Sequence, residues 1–235
     1  DDIIGDATQH RLSQSSAPVA QDDEIDLVAL GRLEYGDTDL VVRLFGRELG
    51  RVRAFARGAR SPKKRFSGGL SPLSFGRAEL RRRRGAELLA LEGFDPEGRY
   101  FGLAEDPGRY GRAAYLAEVT ERLIPEEEPV PSLFDLLTVA FARLSSGEAD
   151  ARLLRGYELK LLEETGYLPD LYHAEDSPDD EPDLLDTRTG ALVAEEGPGR
   201  VPFPQRAREA ALALLTAPLA EPPAVENAVL REVGR

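Results

Sequence analysis

The apolar residues of this chain change their period once, and that change divides it. Between Ile25 and Phe94 they recur at about every second position, in short runs separated by Gly, Pro, Asp and Ser, which is the spacing of half-buried strands. Beyond Pro96 they recur every three or four residues, which is the spacing of amphipathic helices. Residues 25–33, 38–45, 51–57, 70–80 and 86–94 read as five strands. In the first, Ile25, Leu27, Ala29 and Leu33 share a face and Gly31 marks a bend; Glu34-Tyr35-Gly36-Asp37 reads as a turn. Short strands with such frequent turn signals predict a small barrel.

The helical part begins with the Asp106–Pro107 cap signal. Residues 106–123 carry a stripe of Tyr110, Ala114, Leu116, Ala117 and Leu123. Residues 131–144 carry one of Leu133, Leu136, Leu137, Ala140, Phe141 and Leu144. Residues 149–165, with Leu153, Leu154, Tyr157, Leu161 and Leu162 inward, and 204–217 complete four helices sharing a bundle core. Residues 167–203 hold ten acids, two arginines and five prolines. They read as a loop-like acidic insert with a short hairpin near Leu184–Val193. The expected organisation is a disordered polar leader at 1–23, a barrel domain at 24–97 and a helical domain at 98–235.

Charge follows the same division. The net charge is −13, yet residues 31–100 hold sixteen Lys and Arg against nine acids, whereas residues 101–235 hold thirteen against twenty-seven. Within 43–65 nine cations face a single acid, Glu48. A solvated face mixes both signs; a one-sign segment on an acidic body reads as a polyanion-binding surface. The run RVRAFAR at 51–57 sets Val52, Ala54 and Ala56 on one face and three arginines with Phe55 on the other. Cations for phosphates beside an aromatic on which a base can stack are the elements of a single-strand-binding sheet. Phe55 fits that role or packing at a barrel rim. The RRRRG run at 81–85 falls between two strands, either tracking a nucleic-acid backbone or forming a solvated tip.

Other chemistry finds little support. There is no cysteine, which removes disulfides, thiolate nucleophiles and thiolate metal sites. His10 and His173 fall in the leader and the insert, and GGLSPLSFG lacks the spacing of a phosphate-cradling loop. The carboxylates of 175–186 are candidates for Mg²⁺-dependent phosphodiester chemistry, but nothing ordered fixes their geometry. No stretch has the roughly 20 apolar residues that cross a bilayer, and no secretory signal is read in DDIIGDATQHRLSQSS. The expected location is cytoplasmic. Without Met at any position, the sequence reads as a piece of a longer translation product.

Two separated stretches carry a family resemblance. LGRLEYGDTDLVVRLFGRELGRVRAFARGARSPKKRFSGGLSPLSF resembles the start of the bacterial recombination mediator RecO family, and YELKLLEETGYLPDL at 157–171 is similar to its helix ending in Gly-Tyr-x-Pro-Asp-Leu. The resemblance implies an α+β protein: a five-stranded OB-fold barrel, then an all-α domain with a zinc-finger-like insert. Many members carry two Cys-x-x-Cys pairs holding zinc in that insert. Here the corresponding positions fall near Ala174, Ser177, Ala194 and Gly197, so the insert reads as degenerate and cofactor-free.

The resemblance further implies a nucleoid-associated, non-enzymatic protein in DNA repair by recombination. Such a protein binds single- and double-stranded DNA and anneals complementary strands. It engages the C-terminal tail of single-strand-binding protein and, with RecR, loads RecA. The expected DNA-binding residues are Arg32, Arg43, Arg51, Arg53, Phe55, Arg57, Arg60, Lys63, Lys64, Arg65, Arg81, Arg82, Arg83 and Arg84, with Phe66 as a second stacking residue. Arg155, Tyr157, Lys160 and Leu161 are the expected tail pocket; a core tyrosine with two solvated cations is the competing reading. A barrel that docks only an acidic protein partner is the alternative to DNA binding.

Overall fold

The computed structural model describes residues 24–61, 66, 70–148, 150–171 and 184–234. Strands β1 (Glu24–Tyr35), β2 (Asp39–Gly46), β3 (Gly50–Ala56), β4 (Phe75–Arg81) and β5 (Leu89–Pro96) close a barrel in the order β1-β2-β3-β5-β4. All pairings are antiparallel except β3 with β5. This five-stranded barrel, followed by helices, is the OB-fold-plus-helical arrangement. Leu27, Leu40, Val42, Leu44, Val52, Ala54 and Leu80 fill its interior.

The first strand behaves differently from its sequence pattern. A bulge between Ala29 and Gly31 adds one residue to β1, and one extra residue exchanges the two faces of everything after it. Leu27 and Ala29 point into the barrel, but Leu33 pairs with the outward Val41 and is 67% exposed. Arg32 pairs with the inward Val42 and donates from Nη1 to the Leu70 carbonyl oxygen at 3.1 Å. The fourth strand starts at Phe75 rather than residue 70, because the chain turns at Pro72–Leu73, where Leu73 has φ of 67°.

A 3-10 turn at Phe101–Leu103 leads into α1 (Pro107–Leu123), α2 (Pro131–Ser146) and α3 (Ala151–Glu164). Asp106 caps α1 by accepting from the Arg109 N–H at 2.7 Å, and Asp150 caps α3 from Arg152 at 2.8 Å. The buried face of α1 is Ala113, Leu116, Ala117 and Thr120; Tyr110 lies outside it, 40% exposed. Helices α4 (Gln205–Thr216) and α5 (Asn227–Val233) pack behind α3 on Leu159, Phe203 and Leu230. The sequence pattern gave no sign of α5, which buries only Leu230.

Barrel and helices share one core. Val28, Leu30, Phe45, Leu73 and Phe75 from the outer barrel wall lie in the same apolar cluster as Leu116, Phe134, Leu137 and Phe141. Phe45 meets Phe134 edge-on at 5.7 Å, and Tyr100 lies between Phe75 at 6.0 Å and Phe141 at 5.6 Å. The α1–α2 linker crosses the β2–β3 hairpin: Glu126 bridges to Arg51, and the Glu127 N–H donates to the Arg51 carbonyl at 2.8 Å. Gly50, with φ of 69°, permits this approach, since a Cβ there would lie 2.0 Å from the Glu128 carbonyl oxygen.

The acidic insert contains a three-stranded sheet in its described part. Strand β6 (Leu184–Asp186) lies between β7 (Leu192–Val193) and β8 (Arg200–Pro202). Asp186 is 4% exposed. Its carboxylate accepts from the Arg188 backbone N–H at 3.0 Å and lies 3.6 Å from Arg200 Nε. The Arg188 N–H first, then the Thr189 N–H and the Arg188 charge, hold this carboxyl below its ordinary value of 3.8. Ala194 and Gly197 carry no metal-ligating side chain; Ala174 and Ser177 lie outside the described residues.

Two measurements test this packing. Phe134→Ala is expected to cost about 3–5 kcal/mol, with helical circular dichroism and barrel amide protection lost in one coincident urea transition; separate transitions would mean separate cores. Asp186→Asn is expected to lower the melting temperature at neutral pH. A depressed carboxyl stabilises above its unfolded value and stops doing so as pH falls through the folded one. The gap between wild type and Asp186→Asn therefore closes below pH 3.8, which a melting series from pH 7 to 3 reads directly.

Candidate nucleic-acid interface

The strict alternation of β3 has the consequence its sequence predicts. Val52, Ala54 and Ala56 enter the barrel, and Arg51, Arg53 and Phe55 stand on its outer wall. Register then sorts that wall into rows. Phe45 pairs with Arg51, Arg43 with Arg53, and Val41 with Phe55, while β1 adds Gly31 beside Arg43 and Leu33 beside Val41. The rows nearest the helices are cationic and the row beyond them is apolar. At its open edge Tyr35, 60% exposed, meets Phe55 edge-on at 5.5 Å.

A groove of about 740 Å³ runs beside Phe55, lined by Arg57, Arg83, Leu88 and Ala90 among others. Arg57 and Arg84 are exposed, and neither makes an ion pair among the described residues. The four arginines Arg81 to Arg84 lie at the end of β4 and in the β4–β5 loop. That loop and the β1–β2 turn flank the β2–β3 face, the surface on which OB-folds take up oligonucleotides.

The remaining cations do not pool into one open surface, and here the sequence expectation is corrected. Arg43 lies across Gly31, where any Cβ would meet its guanidinium at 2.1 Å, and reaches Glu121 of α1 at 2.9 Å. Arg47 forms a two-pronged pair with Asp135 of α2, both bonds 3.0 Å. Glu126 of the linker lies 3.0 Å from Arg53 and 3.5 Å from Arg51. Glu127 pairs with Arg82 at 2.8 Å. Arg60 turns to Glu34 at 3.1 Å and Arg83 to Glu92 at 2.9 Å. The acidic helical part thus faces the basic barrel wall, because the shared apolar core presses the two together and opposite charges at the seam attract. The bulge separates Arg32 from the others. Lys63, Lys64 and Arg65 lie outside the described residues.

Two further expectations change. Phe66 is buried in the barrel core and presents no stacking face. The α3 pocket is closed: Tyr157 is fully buried, its hydroxyl bonded to that of Thr120, and Leu161 is 1% exposed. Arg155 is held by Glu158, and the Lys160 ammonium donates to the Leu215 carbonyl. The helical stripe containing Tyr157 and Leu161 is core. Among the described residues no three His, Cys, Asp or Glu are placed to hold a metal ion; His173 and most of the 175–186 carboxylates lie outside them. Conversely, Tyr35, which falls in a turn signal of the sequence, ends β1. Its place two residues after Leu33, across from Asp39 and next to the Phe55 row, is the signal that would have found it.

Comparison with known proteins gives a consistent identity for both halves. Residues 25–97 match the family model described as Recombination protein O N terminal, and residues 104–235 match Recombination protein O C terminal. The chain is similar to DNA repair protein RecO of Anaeromyxobacter sp. (strain K), 38% identical over 144 residues, covering 61% of this chain and 57% of that protein. It is 36% identical over 144 residues to DNA repair protein RecO of Myxococcus xanthus, covering 61% and 59%. For that of Pelobacter propionicus the identity is 35% over 149 residues, covering 63% and 60%. The matched segments span less than two thirds of each relative.

Proposed function

The chain belongs to the recombination protein O family, and on that premise we propose that it is a DNA-binding mediator of recombinational repair. It takes up single-stranded DNA on the outer wall of its barrel and also contacts duplex. It anneals complementary strands, contacts the tail of single-strand-binding protein, and acts with RecR in loading RecA. The observation that carries the DNA-binding part is the pairing of Tyr35 with Phe55, 5.5 Å apart at an open edge, beside the arginine loop and Arg57, which makes no ion pair among the described residues.

A flexible strand presents bases with exposed π-faces and a phosphate every few ångströms. Leu33, Tyr35 and Phe55 offer an apolar, partly aromatic strip for the bases, worth about 1–3 kcal/mol per stacked base. Arg57 lines the groove beside Phe55 and Arg84 is exposed in the β4–β5 loop; both meet phosphates without reading sequence. Two strands held on one cationic strip lose part of their mutual repulsion, and their effective concentration rises. That supports annealing without any catalytic group.

Fluorescence anisotropy with a mixed-sequence single strand tests this reading. Contact with about five phosphates gives a log–log salt slope near −3.5. Arg57→Gln with Arg84→Gln is expected to flatten that slope by about 1.4. Phe55→Ala is expected to weaken binding by about 1–3 kcal/mol at unchanged slope. Unaltered affinity in both variants would remove the barrel wall as the site and leave a protein-docking barrel in its place.

A further inference from the structure

The linker between α1 and α2 reads Pro125-Glu126-Glu127-Glu128-Pro129, and it is seated on the barrel wall. Three features fix it there. Glu126 bridges to the edge of β3 at Arg51. The Glu127 N–H donates to the Arg51 carbonyl at 2.8 Å. Gly50 leaves space for the Glu128 backbone, which any Cβ would obstruct. The backbone is thus registered against β3 before any side chain acts.

That register delivers two carboxylates to three arginines. Glu126 serves Arg51 and Arg53, and Glu127 serves Arg82. These arginines belong to β3 and the β4–β5 loop, the same elements that border the aromatic strip. The linker turns at Glu127, where φ is 59°, and this turn sends the Glu126 carboxylate to β3 and the Glu127 carboxylate to the β4–β5 loop, so that spaced anionic oxygens meet guanidinium groups as the phosphates of a strand would. The fit is incomplete. Arg53 Nη2 donates to Glu126 Oε2 at 3.3 Å and to Glu87 Oε1 at 3.4 Å, but Glu126 Oε1, 3.0 Å from Arg53 Nε, is out of line for a hydrogen bond. The Nε–H groups of both Arg51 and Arg53 are shielded from solvent and make none. A shielded donor without an acceptor is costly, so an oxygen better placed in the same position would be favoured over Glu126.

We propose that Glu126 and Glu127 are a built-in competitor for nucleic-acid phosphate. They occupy Arg51, Arg53 and Arg82 in the free protein and surrender them to a strand that has already docked on Tyr35, Phe55 and Arg57. The proposal rests on the DNA-binding reading above and adds to it a regulation of that site. Its consequence is discrimination by length. A mononucleotide gains one contact, too little to displace two carboxylates tethered at high local concentration. A strand anchored on the aromatic strip brings several phosphates that are equally tethered once the first contacts form. The competitor also lowers the affinity for bound strands and so favours their release after pairing.

Glu126→Gln with Glu127→Gln keeps side-chain size and removes both charges. The variant is expected to bind a mixed-sequence single strand at least about ten-fold more tightly at 0.1 M salt, and its log–log slope is expected to steepen by about 1.4–2 as two or three arginines become available to phosphate. The control Glu105→Gln with Glu221→Gln makes the same change in net charge at exposed positions elsewhere, and it should leave the slope unaltered. The single variants Glu126→Gln and Glu127→Gln should each give part of the effect, which keeps the test available if the double variant melts early. Unchanged or weaker binding by folded Gln variants would overturn the competitor and identify the linker as a structural clasp. An equal gain in the control would overturn it too, by assigning the effect to net charge. If wild type binds DNA and responds to Arg57→Gln with Arg84→Gln while the Glu variants do not respond, only the competitor fails. If wild type binds no DNA, the reading beneath it fails.

Discussion

The apolar seam between the barrel wall and the helices governs the rest of the structure. Val28, Leu30, Phe45 and Phe75 are outward-facing barrel residues, and left uncovered they would form a large apolar patch. Helices α1 and α2 bury them, with Phe134 touching both Phe45 and Phe75. Because this burial is non-directional and strong, it sets how close the two halves come. The charged residues at its border then settle into whatever pairs the geometry allows.

Those border pairs decide what the barrel can offer a ligand. Arg43, Arg47, Arg51 and Arg53 are close enough to α1, α2 and their linker to be neutralised by Glu121, Asp135 and Glu126. Arg57 and the aromatic strip lie farther along the wall; Arg57 is exposed and makes no ion pair with a helix among the described residues. The result is a graded surface, compensated at the seam and free at the far edge. Exposed pairs of this kind contribute little to stability, so they can be exchanged for phosphate with little effect on the fold. In the insert a small sheet gathers around Asp186 and the arginines Arg188 and Arg200.

Much of this was legible in the residues. The alternation in RVRAFAR placed Arg51, Arg53 and Phe55 on one face, because side-chain direction in a strand follows a period of two irrespective of neighbours. The capping residues Asp106 and Asp150 marked helix starts because capping is a local hydrogen bond. Tyr157 belonged to an apolar helical stripe, and that stripe outweighed its proximity to Arg155 and Lys160. Less legible were Tyr35, which sits in a turn signal, and Arg32, whose face depends on the bulge between Ala29 and Gly31. A bulge is fixed by the pairing of two strands, and no single strand's pattern contains it.

The sequence by itself determined the barrel, the helices behind it, the basic character of one and the acidic character of the other, since each follows from local period, local capping and composition. Tertiary structure alone decided which arginines face solvent and which face a carboxylate. Glu121, Glu126, Glu127 and Asp135 are forty or more positions from their arginine partners in the chain. Coulomb attraction acts over ångströms in space, and only the packing of α1 and α2 on the barrel wall brings those charges within range.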